Sequence, residues 1–365
     1  AGTTALQGEY GIELWNVPGV ERLGVPPFKM SDGPRGVGVG TGRTAFPVAM
    51  ARAASWNPEI ERSVGEAMGA ELAAIGGNVL LAPAMNNLRH PSWGRSQETY
   101  GEDVHLLSRM GVAAVRGIQT HVLANPKHFA ANSIEDTRFE VNVTIDERSL
   151  REIYLAHFRA AVLEGGAASI MSAYNSVNGQ FCGENITLLR RILKEEWGFD
   201  GFVLSDFVFG THPDSARNGL DLEMPFPVEF ASLVDQVESG ALPEEVVDEA
   251  ATVLVRPAES EVPESTTVEE ALQVLVDSWQ SLAVRGVLSP DEVEILASLK
   301  LIAGQLFDAD QTPSWRELLD LSRICGAGGV GASAAGLPVR PRRVSRPWRA
   351  GRARGPAGRE ALAWY

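Results

Sequence analysis

The stretch NPEIERSVGEAMGAELAAIGGNVLLAPAMN, residues 57–86, contains a predicted helix followed by a predicted strand. Asn57, followed directly by a proline, is typical of a helix start, with a capping side chain and a first-turn proline. Apolar residues then recur at helical spacing until the pair Gly76 and Gly77, which favours a helix end. The apolar run at 78–86 ends in polar residues and is typical of a buried strand. This unit predicts an α/β protein.

Short apolar runs that end in polar residues recur between residues 20 and 255. The further predicted strands are HVLANPKHFA (121–130), ASIMSAYNS (168–176) and GFVLSDF (201–207). Alternating strands and helices over this length indicate parallel strands joined by right-handed crossovers. A TIM-type (β/α) barrel and an open doubly wound sheet both fit. The barrel is favoured because every candidate strand carries its polar residues at its C-terminal end, where barrel enzymes place their chemistry.

Two further helices are predicted between these strands. Thr144 and Glu147 have the spacing of a capping box, at the start of a helical pattern that ends in paired glycines. Leu188 to Trp197 forms a second helical pattern, which Gly198 ends. Residues 1–255 are therefore predicted to form one barrel domain.

Composition excludes several classes of protein. The formal net charge of −15 over 365 residues argues against general nucleic-acid binding. Two cysteines exclude a disulfide framework in a chain of this size and favour a reducing compartment. No apolar run reaches the roughly 18–20 residues that span a bilayer. With no signal-peptide pattern visible, we expect a cytoplasmic location, no membrane partner and no nucleic-acid partner.

The composition changes after residue 255. We predict a linker over 256–267, a helical segment over 268–323, and a disordered tail rich in glycine, arginine and proline over 324–365. The tail contains eight arginines and no acid between Arg340 and Arg359. A solvated tail is the favoured interpretation; nucleic-acid contact and out-of-frame translation of GC-rich DNA are the alternatives. The helical segment is expected to pack on the barrel, and a partner-binding role is the alternative.

Common cofactor and metal motifs do not occur in the sequence. The glycine run at 36–42 never has the spacing G-x-G-x-x-G, and no Walker A pattern occurs. The six histidines form neither H-E-x-x-H nor any other zinc pattern. No G-x-S-x-G elbow supports a serine nucleophile. We therefore predict no cofactor and no metal site.

Polar and flat side chains cluster at the ends of the predicted strands. They supply acids, bases, bidentate donors and aromatic faces on one rim, a mixture that suits a small polyhydroxylated ligand. These residues are Asp32, Arg95, Glu98, Lys127, His128, Arg138, Met171, Tyr174 and Asp206.

Six segments in this order resemble the N-terminal barrel domain of family 3 glycoside hydrolases, the β-glucosidase group. The resemblance covers about residues 8–255. The segments are SDGPRG (31–36), GRSQETYGED (94–103), KHFAANSIEDTR (127–138), MSAYNSVNG (171–179), GFDGFVLSDF (198–207) and GLDLEMP (219–225).

The resemblance implies retaining hydrolysis of β-glycosidic bonds through a glycosyl–enzyme intermediate, with two carboxyl groups about 5–5.5 Å apart. Asp206 matches the nucleophile, and Asp32 is similar to the family's acid that holds sugar hydroxyls. Phe207 stands where the family often has tryptophan. The remaining substrate-binding positions implied by the match are Arg95, Lys127, His128, Arg138, Met171 and Tyr174. Positive charges among them are expected to keep Asp206 ionised.

The general acid has no match. In most of these enzymes it is a glutamate on a following α/β sandwich domain, and no segment after residue 255 resembles that domain. A subgroup uses an Asp–His pair after KHF, but NSIEDTR contains no histidine. Glu98, Glu135 and Glu223 are the candidates in matched segments. The alternative prediction is a truncated family member that binds sugar with little or no catalysis. The sugar, the linkage and the oligomeric state are not predicted.

Overall fold

The computed structural model describes residues 13–20, 26–39 and 42–259, with side chains up to residue 255. The predictions for 268–323 and 324–365 lie outside these residues. The last described helix extends to Glu259, so the segment predicted as a linker over 256–267 begins inside a helix. The helical pattern that starts at Glu244 continues through the arginine, proline and glutamate that had indicated a linker.

Nine strands and eight α-helices are defined within the described residues. The strands are β1 Trp15–Val17, β2 Phe28–Asp32, β3 Val79–Leu81, β4 Leu123–Ala124, β5 Asn142–Val143, β6 Ser169–Met171, β7 Ser176–Val177, β8 Gln180–Phe181 and β9 Phe202–Leu204. The helices are α1 Ala49–Ala53, α2 Pro58–Ala74, α3 Val104–Ile118, α4 Glu147–Ser149, α5 Ala156–Leu163, α6 Ser215–Asn218, α7 Leu233–Glu238 and α8 Glu244–Glu259. The described residues also contain two π-helical segments, Leu150–Tyr154 and Thr187–Glu196, and three short 3-10 helices, Ser96–Glu98, Cys182–Glu184 and Phe230–Ser232.

The strands that carry the predicted site run parallel, as the sequence predicts. β2, β3 and β4 pair in parallel, with β1 antiparallel on the outer edge of β2. β6 pairs in parallel with β9. A parallel bridge between Phe129 and Ser172 connects the two groups, and another between Leu204 and Leu222 extends the series beyond β9. Within the described residues the hydrogen-bonded ring of strands is not closed.

The parallel series nevertheless curves around one interior core. Phe28 and Phe202 belong to β2 and β9, the first and last strands of the parallel series, yet their ring centroids are 5.1 Å apart. This contact requires the two ends to approach each other, as strands that surround a common core do. The interior core consists of Phe28, Met30, Val79, Leu81, Met171, Phe202, Leu204 and Met224.

Helices α2 and α3 pack closely on the outside of the strands. A side chain at Gly117 would place its first carbon 2.1 Å from the Arg62 carbonyl oxygen, so only glycine allows this approach. A buried ion pair holds the start of α2: Arg52 Nε lies 2.7 Å from Glu61 Oε2. The Tyr100 hydroxyl donates to Glu61 Oε1 at 2.7 Å. This network connects α1, α2 and the segment before α3.

The helix ends agree with the sequence in two places and differ in one. Asn57 caps α2 by accepting a hydrogen bond from the Glu59 amide, and Gly76 follows the helix with a φ of +81°. The capping box predicted from Thr144 and Glu147 is wrong, because Asp146 is the cap and accepts from the Ser149 amide. Aspartate reaches the third amide of the helix directly, which leaves Thr144 outside the first turn.

In the part of the chain that the structure describes, no helix is long and apolar enough to cross a membrane. The same residues contain no group of three or more histidine, cysteine, aspartate or glutamate side chains arranged to hold a metal ion.

Candidate active site

The candidate site forms at the carboxyl ends of the parallel strands. Asp32 is the last residue of β2, Lys127 and His128 follow β4, and Asp206 follows β9. Parallel strands end at one edge, so residues distant in sequence come together there. The 95-residue separation between Asp32 and Lys127 is closed by an ion pair of 2.7 Å.

Asp206 has one oxygen engaged by the backbone and one directed toward the other site residues. Oδ1 accepts a hydrogen bond from the Phe207 amide at 2.8 Å. Oδ2 is buried, lies 3.6 Å from His128 Nε2, and has no hydrogen bond within the described residues. A buried carboxylate oxygen without a partner is costly, which makes Oδ2 the natural point of contact for a ligand.

The chain turns back sharply after Asp206. A side chain at Gly210 would bring its first carbon to 2.4 Å from the Asp206 carbonyl oxygen and 2.7 Å from its amide nitrogen. Only glycine permits this close approach. The turn therefore fixes Asp206 at the strand end rather than inside the strand.

Burial raises the pKa of Asp206 above its usual range. The positive charges of Arg95 and Lys127, the Phe207 amide and the nearby Tyr174 hydroxyl oppose that rise. The sequence-based expectation considered only the charges, and the structure shows that desolvation is the larger effect.

Arg95 and His128 form the wall beside Asp206. Arg95 donates two hydrogen bonds to the Glu98 carboxylate, from Nε to Oε1 at 3.0 Å and from Nη2 to Oε2 at 2.7 Å. Its third nitrogen lies 3.1 Å from His128 Nε2. Because an arginine can only donate, Nε2 accepts and the ring proton belongs on Nδ1, which faces Asn86 Oδ1 at 3.3 Å. Burial, with the nearby cations, lowers the pKa of His128, which keeps the ring neutral.

Arg138 lies against two neighbouring aromatic rings at the rim. Its guanidinium lies 4.8 Å from the centroid of Phe139 and 4.9 Å from that of Tyr174, and it pairs with Glu135 at 2.7 Å. The Tyr174 hydroxyl donates to the Phe207 carbonyl oxygen at 2.7 Å. Tyr174 is therefore tied both to the rim and to the backbone beside the candidate nucleophile.

Phe207 and Met171 pack in different surroundings near the strand ends. The Phe207 ring packs edge-on against Trp15 with centroids 5.0 Å apart. Met171 belongs to the interior core, with only 1% of its surface exposed. It therefore forms part of the packed floor below the site, and its sugar contact stays a prediction.

The three candidate general acids have different partners. Glu98 is held by Arg95, and Glu135 by Arg138. Burial raises the pKa of Glu135. Glu223 accepts the backbone amides of residues 228, 229 and 230 at 2.8–3.1 Å, so its carboxylate holds a loop. These contacts make Glu223 a structural anchor and leave the general acid unidentified.

Sequence reasoning missed Asn86, Phe139 and Phe209. Asn86 fixes His128 from both sides, accepting from the His128 amide at 2.9 Å and donating to its carbonyl oxygen at 2.8 Å. It ends the predicted strand 78–86 and could have been found by the same strand-end signal as the other residues. Nothing in the sequence pattern marks the two phenylalanines, since their exposure is a property of the folded loops.

Comparison with known proteins identifies the class of protein to which this fold and site belong. A family model described as the glycosyl hydrolase family 3 N terminal domain matches residues 17–256. The chain belongs to this family, as the six segments indicate.

Three relatives are particularly similar. A beta-glucosidase of Rhizobium radiobacter is 44% identical over 227 residues, which is 60% of this chain and 28% of that protein. Thermostable beta-glucosidase B of Acetivibrio thermocellus is 39% identical over 256 residues, 66% of this chain and 34% of that protein. Beta-glucosidase 3B of Thermotoga neapolitana, solved with glucose, superposes with a TM-score of 0.67 at 37% identity over 72% of this chain and 41% of that chain. The chain spans about a third of the length of the curated relatives it matches.

Proposed function

We propose that this chain is a retaining glycoside hydrolase of the β-glucosidase type, with Asp206 as the nucleophile. Oδ2 of Asp206 carries the proposal: it is buried at a strand end, without a hydrogen bond in the described residues, in a domain of glycosyl hydrolase family 3. In the proposed reaction Oδ2 attacks the anomeric carbon as the glycosidic C–O bond breaks. The leaving oxygen departs as an anion when it belongs to an activated phenol and otherwise takes its proton from water. Water then releases the sugar from the ester.

The glycone is proposed to lie between Asp206 and the Asp32–Lys127 pair. Asp32 accepts hydrogen bonds from sugar hydroxyls, and Lys127 donates hydrogen bonds to them. Nε2 of the neutral His128 accepts a hydrogen bond from a sugar hydroxyl in place of the one from Arg95. Arg138, Tyr174 and Phe207 border the opening. Relatives named beta-glucosidases support a glucoside as the small-molecule substrate. We also propose that the curved strands form a TIM-type barrel, as the resemblance implies.

The test compares 4-nitrophenyl β-glucoside and β-xyloside with the full chain and with Asp206→Asn. The proposal expects cleavage of the glucoside, with retention of anomeric configuration, and at least about a 10³-fold loss in the variant, since the covalent step is lost. Asp235→Asn, on the exposed helix α7, is the matched control and should retain activity. An Asp206→Asn variant that retains full activity would contradict the nucleophile assignment.

A second candidate function is sugar binding with little turnover. It is supported by the contacts of the three candidate general acids. Glu98 and Glu135 are in ion pairs with arginines, and Glu223 accepts hydrogen bonds from backbone amides. Losing a general acid typically costs about 10²–10⁴-fold in rate. Glucose binding measured by calorimetry, without cleavage of any aryl glycoside, would favour this function.

A further inference from the structure

A cavity lies on the outer face of the first two strands, and none of the residues that line it belongs to the candidate active site. Its volume is about 380 Å³. Small-molecule sites in proteins typically have volumes of roughly 300–1,000 Å³. The walls are formed by β1 with the residues just before it, by β2, by the loop that follows β2 and by the end of α2. The cavity is therefore large enough for a small ligand and is separate from the proposed glycone pocket.

The strand geometry directs Lys29 and Asn16 to this outer face. The two residues lie opposite each other in the antiparallel pair of β1 and β2. Their neighbours Met30 and Trp15 pack in or against the interior core. Successive side chains of a strand alternate between its two faces, so Lys29 points away from that core. Asp32, three residues further along β2, has the opposite orientation and faces the candidate active site.

Two cations reach the cavity from firmly held backbone. The Lys29 amide donates to Oδ1 of Asn78 at 2.6 Å, and the Lys29 carbonyl oxygen accepts from the Asn78 amide at 2.8 Å. Arg43 directly precedes Thr44, whose amide and hydroxyl donate to the buried Glu71 of α2 at 3.0 and 2.9 Å. The backbone at both cations is therefore fixed before any ligand binds, which reduces the cost of binding.

The charges in the cavity favour an anion. The Lys29 ammonium has no hydrogen bond or ion pair within the described residues. Burial raises the pKa of Glu71, and the Thr44 hydrogen bonds and the Arg43 charge oppose that rise. Glu13 is the one carboxylate among the described lining residues, and it is exposed, so that water and salt screen its charge. Because the chain as a whole has a formal net charge of −15, an anion would bind here through these local contacts.

We infer that this cavity binds the phosphate group of a small molecule. A phosphate group carries a charge of about −1.5 to −2 near neutral pH, which suits two cations better than the single charge of a carboxylate does. Asn16 and Glu13 can bind hydroxyls beside the phosphate, and an apolar wall is provided by Leu14, Val39 and Ile75. The ligand is inorganic phosphate or a small hydroxylated phosphate ester. The inference goes beyond the proposed function and uses none of its residues.

Calorimetric titration of the full chain with glycerol 3-phosphate, inorganic phosphate and D-glycerate tests the inference. Glycerate has the same two hydroxyls as the ester but a single negative charge, so glycerol 3-phosphate should bind one per chain and at least about tenfold more tightly. Lys29→Gln should weaken the binding of glycerol 3-phosphate by about 10- to 100-fold, the effect of losing a hydrogen bond between charged groups. Lys29→Arg keeps the charge, and its affinity should stay within about threefold of the wild type.

Arg109→Gln provides the matched control, because Arg109 lies on α3 outside the cavity, with a side chain that is 55% exposed. It removes one positive charge, as Lys29→Gln does, and should leave the affinity unchanged. Binding that survives in Lys29→Gln would place the phosphate elsewhere, for example against the cations of the candidate active site, and would overturn the inference. The absence of saturable binding of both phosphate compounds would overturn it too, as would glycerate binding as tight as that of glycerol 3-phosphate.

The two phosphate compounds distinguish the sources of the group. Equal affinities would indicate inorganic phosphate. Tighter binding of glycerol 3-phosphate, reduced in Asn16→Ala by about two- to tenfold, would indicate an ester, and both results support a phosphate site. Cleavage of aryl glucosides tests the proposed function separately, and Lys29→Gln should retain that activity. Phosphate binding without glucoside cleavage would contradict only the proposed function, and cleavage without phosphate binding would contradict only this inference.

Discussion

Asp206 is subject to two opposing influences on its proton. Burial raises the pKa of this carboxyl, while Arg95 and Lys127 lower it. Both cations have carboxylate partners of their own, Glu98 and Asp32, so only part of their charge acts on Asp206. A nucleophile of this kind must be ionised to attack, so its raised pKa should be visible in the pH dependence of the reaction.

The acidic limb of kcat/KM for an activated aryl glucoside should therefore lie above the usual pKa of a free aspartate, about 3.9. Activity should rise with pH through this limb as Asp206 loses its proton. Arg95→Gln removes a charge that lowers the pKa of Asp206, and we expect it to move the limb to higher pH.

The control for that shift is Arg95→Lys, which keeps the positive charge and loses the two-pronged contact with Glu98. Its KM should rise, but its acidic limb should stay close to that of the wild type. A limb that does not move in Arg95→Gln would contradict the electrostatic account of Asp206.

At the scale of secondary structure elements, the site depends on helices that hold the strand ends from outside. Arg52 of α1, Glu61 of α2 and Tyr100 before α3 form one buried network. The Asp221 carboxylate similarly pairs with Lys194 at 2.6 Å and accepts from the Val203 amide of β9 at 2.8 Å. Each network joins segments that are far apart in the sequence.

Glu61→Ala should lower the free energy of unfolding by about 3–5 kcal/mol, because it leaves the Arg52 charge buried without its partner. Urea or thermal denaturation measures the change. The matched control is Glu152→Ala, which breaks the exposed pair with Arg148 at 3.1 Å and should have little effect on stability. Equal effects of the two substitutions would show that burial of the Arg52–Glu61 pair is unimportant.

The parts of the site that the sequence predicts are those with a local signal. Lys127 and Asp206 could be found because they lie near the ends of predicted strands, and Asp32 because it lies in a tight Gly/Pro turn. Strand ends of a parallel sheet meet at one edge. The cap at Asp146 was missed because Thr144 also fits the capping pattern. The larger role of burial in the pKa of Asp206 could not be seen, since it depends on the packing of segments far apart in sequence.

The exposure of Phe139 and Phe209 and the hydrogen bonds of Glu223 could not be predicted, for a similar reason. Phe139 and Phe209 meet only because two loops fold toward each other. Glu223 matched a family segment, yet its contacts with three backbone amides depend on how the following loop turns. Motif order identifies the family, whereas the partners of each side chain are a property of the fold.

At the scale of the whole molecule, residues 13–259 contain the proposed nucleophile and glycone pocket, and the chain spans about a third of the length of the curated relatives it matches. The family resemblance implies a general acid from a following domain. Among the described residues, the three candidate glutamates have contacts of their own. The reaction of this chain should therefore depend on how much help its leaving group needs.

We expect a steep dependence of kcat/KM on the leaving group across a series of aryl β-glucosides. Phenols that leave readily as anions need no proton, so 2,4-dinitrophenyl β-glucoside should be cleaved, and cellobiose should be cleaved about 10²–10⁴-fold less efficiently than a general acid would allow. Added azide should accelerate turnover if the second step also lacks its base. A flat dependence would mean that this chain has an effective general acid.

The covalent intermediate provides the most direct test of the central claim. The full chain would be incubated with 2,4-dinitrophenyl 2-deoxy-2-fluoro-β-glucoside and then digested for mass spectrometry. The fluorine slows both the attachment and the release of the sugar, but the dinitrophenolate leaving group keeps attachment faster than release, so the covalent intermediate accumulates. We expect one fluoroglucosyl adduct on the peptide that contains residues 201–210, attached to Asp206 and absent from Asp206→Asn. An adduct on another carboxylate, or inactivation that the Asp206→Asn variant shares, would contradict the account.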